Sequence, residues 1–420
     1  MTQSVKMVRD AAWRIFEKAG LPTTRNEDWK YTDLSRLTAV LGETWWTPSP
    51  AADVDTGVCE EQSIPELDAA CCLIFINGRF QGDVPNLPEG VSVTPLSALL
   101  NSDADKAARM LEINEDMPLF NGAVAVNAAM ASDGVCIRIA DGVKLDKPLY
   151  LLHIAASGGA SHMRHDIRIG RGATAHVIEH FTGSSGDAGL THHVTRVYLD
   201  DTSTLFHDRL QMEAGKQFHL GRVDVKQLCN SRFISNSLAL GAPLSRVDIA
   251  VALSGEGATC ILNGLYTING RQHADHHTRV DHISPGCVSQ EHYKGILSGR
   301  AHGVFNGKVV VHEGADGTDA KQSNGNLLLS DHAEVDSKPE LEIYADDVKC
   351  AHGATVGQLD MSQLFYLQSR GLSKATAMNV LTFAFAEDVL GQINISSVRR
   401  YLERAVLEKL PQGDALREMV

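Results

Sequence analysis

The chain has 420 residues, of which 43% are hydrophobic and 21% charged, and its formal net charge is −14. This composition can build a large core, over two or three domains by length, and is not that of a disordered chain. An acidic balance without a basic block disfavours nucleic acid, whose binding rests on phosphate neutralisation, and disfavours anionic membrane surfaces too.

Three regions differ in pattern, at 1–121, 122–360 and 361–420. The first reads as mixed and helical. Met1-Thr-Gln-Ser-Val-Lys6 lacks the apolar stretch of a secretory leader, so a cytoplasmic location is expected. Val5, Val8, Ala12, Ile15, Phe16 and Ala19 recur at helical spacing, and Gly20 and Pro22 end that helix. Residues 42–70, rich in proline, small residues and acids, read mainly as loop. Cys72–Ile76 reads as a strand entering a tight Asn77-Gly78 turn, with Arg79-Phe80 returning.

The second region is a succession of short β-prone runs separated by Gly, Asp and Asn. They fall at 135–139, 173–178, 194–199, 245–251, 260–262, 308–311, 327–329 and 341–344. Gly-Ala-Thr recurs at 172–174, 257–259 and 353–355. Stacked short strands with such corners suggest a β-solenoid. A sandwich is the rival, but it uses roughly a hundred residues per domain.

The third region is helical. Ser373 is placed to cap a helix carrying Ala377, Met378, Val380, Leu381, Ala384, Phe385 and Val389. A second helix begins at Asn394 or Ser396 and ends at Pro411 and Gly413. These helices either cover the open end of the solenoid or form a docking surface for a partner.

Chemistry is sparse. There is no P-loop, because Gly215-Lys216 and Gly307-Lys308 are followed by Gln217 and Val309, so no nucleotide is expected on this chain. No hydrolase elbow, metalloprotease helix or dinucleotide fingerprint occurs. The eight cysteines form no C-x-x-C pair and read mostly as small buried hydrophobes. Nine of the 18 histidines lie in 273–352. On a strand, His273, Asp275 and His277 share a face, a pattern that suits borderline metals such as iron. The plainer reading of that run is a solvated sheet face, or side-chain ladders at solenoid corners.

Cys350 and His352 also share a strand face, and an adjacent imidazolium would favour the thiolate. Gly353 places the pair at a strand end near a turn. Two ligands are too few for a closed metal or cluster site, so any metal there is shared with another chain or transient.

Long strings then resemble one family. Lys338-Pro-Glu-Leu-Glu-Ile-Tyr-Ala-Asp-Asp-Val-Lys-Cys-Ala-His-Gly-Ala-Thr-Val-Gly-Gln-Leu-Asp360 resembles the signature of the SufB/SufD family of the SUF iron–sulfur cluster assembly system. So do Leu364-Phe-Tyr-Leu-Gln-Ser-Arg-Gly371, Thr318-Asp-Ala-Lys-Gln-Ser-Asn-Gly-Asn-Leu-Leu-Leu-Ser330 and Leu21-Pro-Thr-Thr-Arg-Asn-Glu-Asp-Trp-Lys-Tyr-Thr-Asp-Leu34. Length and the Cys-x-His-Gly-Ala-Thr string are similar to the SufD branch, with Ala351 where Ser is common.

The resemblance implies a mainly β fold, a right-handed parallel β-helix flanked by N-terminal and C-terminal helical regions. It implies a non-catalytic scaffold, paired with SufB through the β-helix and bound to SufC, an ABC-type ATPase, through the C-terminal helices. In isolation a homodimer through the same surface is the alternative. It further implies that His352, with Cys350 beside it, lies where iron enters or a nascent, transient iron–sulfur cluster is held, shared with SufB. Two other readings compete: a freestanding histidine-rich metal-binding protein, and a β-helical carbohydrate-active enzyme. The second would need a secretory leader and an aromatic groove, and aromatics are only 6%.

Overall fold

The short strands pair in parallel with the strand two positions on, so the chain winds into a solenoid of two facing sheets in this computed structural model. The structure describes residues 2–50, 56–114, 117–183 and 186–410. Sheet A runs through Val91–Pro95, Val135–Ile139, Gly159–Ile169, Gly189–Leu199, Gln217–Gln227, Leu244–Leu253, His273–His282, His302–Val311 and Glu334–Ile343. Sheet B runs from the hairpin strand Arg79–Phe80 through Cys71–Ile76, Leu149–Ile154, Thr174–Thr182, Thr204–Gln211 and Arg232–Ala239. It continues through Thr259–Ile268, Val288–Leu297 and Thr318–Leu328 to Val348–Gly357. One coil takes between 26 residues, from His219 to Ser245, and 32, from His302 to Glu334. The mainly β solenoid read from the sequence is the architecture found.

Alternation along each strand sorts the side chains. Inward positions such as Ile137, Val223, Ile249, Phe233, Cys260 and Leu262 form the continuous core between the sheets. Outward positions of sheet B, including Ile178, Leu210, Leu238, Leu265 and Ile296, are buried by the C-terminal helices. Outward positions of sheet A, including Leu190, Phe218, Leu220 and Leu244, are buried by the N-terminal region.

The N-terminal helix α1 (Gln3–Ala19) appears as expected and stops at Gly20, whose φ of 66° only glycine adopts freely. Next come α2 (Ser35–Leu41) and α3 (Thr56–Gln62). The latter interrupts the stretch 42–70, whose other described residues are mainly loop as expected. The predicted hairpin is present, with Asn77 and Gly78 both at positive φ, as its two-residue turn requires. After α4 (Leu96–Ser102) and α5 (Ala104–Leu111), α6 (Gly122–Met130) opens the region expected to hold only strands. Its Ala123–Ala129 stretch is buried all round, which erases the amphipathic period that marks a surface helix.

At the other end lie α7 (Met361–Ser369), α8 (Lys374–Leu390) and α9 (Ser396–Lys409). Ser373 caps α8 by accepting from the Thr376 N–H, as expected. Of the two expected starts, Ser396 is the first residue of α9. Pro411 and Gly413 lie outside the described residues. Ala386, Val389, Leu390, Val398, Leu402 and Val406 pack on the flank of sheet B. The helices therefore lie alongside the solenoid instead of across its end, which decides against the cap reading. Glu334–Ile343 and Val348–Gly357 are left as the last strands of their sheets, and among the described residues no strand pairs beyond them. Pro339 sits in the first of these, and an edge is where a sheet tolerates a residue without an N–H.

Candidate functional site

Cys350 and His352 lie on this last strand of sheet B, which is exposed over most of its length. Its partner strand sets their directions. Cys350 is in register with Ala320 and His352 with Gln322, both inward-facing and buried. The thiol and imidazole therefore share one face, at the open mouth of the solenoid interior. The strand continues through Gly353 to Gly357, so the pair does not sit at a strand end as the glycine suggested. Cys350 is half-buried against the interior core. Burial pushes its thiol pKa up, Asp319 adds to the rise, and the Ala320 backbone opposes it. The isolated chain thus holds a thiol, contrary to the expected imidazolium-assisted thiolate.

Beneath His352, one column of sheet B reads Leu262, Glu291, Gln322, His352 in successive coils. Glu291 accepts from the Thr278 hydroxyl of the facing sheet and, at 2.9 Å, from Gln322 Nε2. Burial pushes its carboxyl pKa up to about 7 although both hydrogen bonds pull the other way. The folded chain therefore binds this proton more tightly than the unfolded one. The stability it contributes is fully present below about pH 4.5 and is lost as pH rises through about 7, on the order of 3 kcal/mol in all. Glu291→Gln is expected to abolish that loss, so its stability relative to the parent improves from about pH 5 to about pH 8. Parallel urea-unfolding profiles at the two pH values would contradict this.

A second polar group lines the interior near the N-terminal end. His153, His165 and Glu179 bring one donor atom each within 4.8 Å of one another. Burial, reinforced by neighbouring imidazoles, holds His153 and His193 neutral. Burial raises Glu179, but the hydrogen bond from His207 and that residue's charge outweigh it and keep the carboxyl ionised. His165 Nδ1 accepts the Val135 N–H, which leaves its proton on Nε2. His153 is seven strand spacings from His352, about 33 Å.

His273, Asp275 and His277 do share an outer face of sheet A, but it is not solvated. The segment after α1 covers it: Thr32 donates to Asp275 at 2.5 Å and pairs with His273 at 2.8 Å. Arg246 meets Asp275 at 2.8 Å, donates to the Asp28 carbonyl, and stacks 3.7 Å from the Trp29 ring. His277 Nδ1 lies 2.9 Å from the other Asp275 oxygen. Burial raises the Asp275 carboxyl, and Arg246 and His277 more than reverse this. The histidine run thus anchors the N-terminal region on the solenoid.

Sequence reading missed Glu291, Gln322 and the His153 group. The available signal was a polar residue at an inward position of an otherwise apolar strand, as in Leu149-Tyr-Leu-Leu-His153. That signal is usable only once the inward face is known.

Residues 152–385 match the family "SUF system FeS cluster assembly, SufBD core domain", and residues 1–151 match "SufBD protein N-terminal region". The chain is 30% identical to the iron–sulfur cluster assembly protein SufD of Escherichia coli, over 94% of its own length and 91% of the relative's. It is also 30% identical to an iron–sulfur cluster assembly SufBD family protein of Synechocystis, over 95% and 89% of the two chains. A chloroplastic protein of Arabidopsis thaliana, ABCI7, is 26% identical over 94% and 84%. The chain therefore belongs to the SufB/SufD family of SUF-system iron–sulfur cluster assembly proteins, and within it is SufD-like.

Proposed function

We propose that the chain is a scaffold subunit that turns over no substrate itself and builds clusters only in company. The observation that carries this is the open terminal coil with its incomplete ligand set. Unpaired strands at a solenoid end are a template for another chain. A SufB-type β-helix paired there would face Cys350 and His352 with its own ligands, so that iron enters, and a nascent cluster forms, at the joint. The cluster is cargo, handed on rather than kept. His352 is the stronger ligand, because an imidazole offers a lone pair without losing a proton, whereas the Cys350 thiol must ionise.

The three regions, 1–121, 122–360 and 361–420, then divide the work into anchoring, cluster site and ATPase docking. For the last, Met361, Phe365 and Tyr366 of α7 are exposed at 68%, 73% and 57%, beside a groove that Val380 and Leu381 of α8 help to line. A SufC-type ATPase docked there supplies the nucleotide chemistry this chain lacks. A cytoplasmic setting fits, and no helix of the described residues is long and apolar enough to cross a membrane.

The test is affinity capture of the tagged full chain from cell extract, with identification of what it retains. A SufB-type chain and an ABC-type ATPase are expected. Phe365→Asp with Tyr366→Asp should lose the ATPase and keep the SufB-type chain. Capture of neither protein, or full retention of the ATPase by the double variant, would refute the reading.

A further inference from the structure

A metal-binding imidazole must present a nitrogen without a proton, and the hydrogen bond made by its other nitrogen decides which one that is. Gln322 is built to make that choice for His352. It occupies the coil directly beneath, in register with His352 on one side and with Glu291 on the other. Its side chain is only 4% exposed, so its polar ends need partners within the protein. One has a partner: Nε2 donates to Glu291 Oε1 at 2.9 Å. Oε1, at the other end of the planar amide, is buried and has no partner. The remaining Glu291 oxygen is occupied by the Thr278 hydroxyl. The Glu291 carboxylate therefore fixes which way the amide points, with its acceptor turned away from Glu291. His352 is the next side chain in that column.

We propose that Gln322 is a positioning residue for His352: its Oε1 accepts the His352 Nδ1–H and leaves Nε2 unprotonated toward the open edge. The inference rests on the reading of His352 as a ligand and adds to it the device that prepares the ligand. Nδ1 lies nearer the backbone and so nearer the neighbouring coil, while Nε2 reaches out to where a partner chain would stand. The Nδ1–H tautomer is the minor form of free histidine, so its dominance at His352 is a distinctive signature.

The experiment is a long-range nitrogen–proton correlation spectrum of the full chain labelled with nitrogen-15 histidine, above the imidazole's titration. The His352 signal is identified by its loss in His352→Asn. The parent chain is expected to show His352 mainly as Nδ1–H. Gln322→Met, of similar volume, should return it to the Nε2–H form, while Gln322→Glu combined with Glu291→Gln, which exchanges the two side chains and so keeps an N–H···O contact beneath an acceptor at position 322, should preserve Nδ1–H. In reconstituted complexes, Gln322→Met should form clusters at least tenfold more slowly, and the exchanged Gln322→Glu, Glu291→Gln pair should stay close to the parent. An Nε2–H tautomer in the parent chain, or a tautomer unchanged in Gln322→Met, would overturn the proposal. The tautomer readout does not depend on metal. If it behaves as stated and His352→Ala still supports cluster formation, the ligand reading fails while the role of Gln322 stands.

Discussion

A complex carrying His352→Ala is expected to assemble with all its subunits and to accumulate less than about a tenth of the parent's cluster. Both halves follow from position. His352 is exposed on the terminal strand and supports no core, so its loss should leave folding and assembly intact. On the proposed function it is one of few ligands at a shared site and has no substitute within this chain, because its strand neighbour Cys350 is held as a thiol. Cys350→Ala should reduce cluster formation less. The check is anaerobic reconstitution of purified complexes, reading bound iron and sulfide alongside subunit stoichiometry. Parent-level cluster in the His352→Ala complex would remove His352 from the site.

Arg246→Met should produce the largest loss of stability, about 3–5 kcal/mol. Arg246 and Asp275 are each 1% exposed, and the guanidinium also holds Asp248 and the Asp28 carbonyl. Removing the cation leaves Asp248 buried without its ion pair and Asp275 with only Thr32 and His277, and it strips the Trp29 ring of its partner. Replacing both members of the main pair, as Arg246→Met with Asp275→Leu, should recover part of the loss, since Asp248 is then the one carboxylate of the group left without its cation. The effect should be local before it is global. The segment at residues 20–50 is held to the solenoid partly through this anchor, so limited proteolysis should cut there first. Equal cutting rates and equal urea midpoints for parent and Arg246→Met would contradict this account.

Strands were legible where the inward residues are apolar and β-branched, as at 245–251, where Val247, Ile249 and Val251 face the core. They were illegible where polar residues stand on both faces. His273–His282 is a full strand with little β signal in its composition, because its outer face meets Thr32 and Arg246 instead of water or a helix. Burial by polar contacts leaves no periodicity of hydrophobicity to read. The helix α6 was hidden for the opposite reason, being apolar on every side. At the site, the shared face of Cys350 and His352 was readable from their spacing alone. Glu291 and Gln322 were not, because what joins them to His352 is the register of coils about thirty residues apart, which no local pattern encodes.

On the proposed function, the terminal coil is the docking edge of this chain. The most direct test of this is backbone hydrogen exchange across Val348–Gly357, compared between the full chain, shown to be monomeric by sedimentation, and the same chain bound to its SufB-type partner. Alternate amides of an unpaired edge strand point away from their own sheet and exchange freely until another strand accepts them. Roughly half the amides of this strand are expected to exchange fast in the monomer and to become protected in the complex. Fast exchange that persists unchanged in the complex would show that the partner binds elsewhere, and that His352 does not stand at the joint.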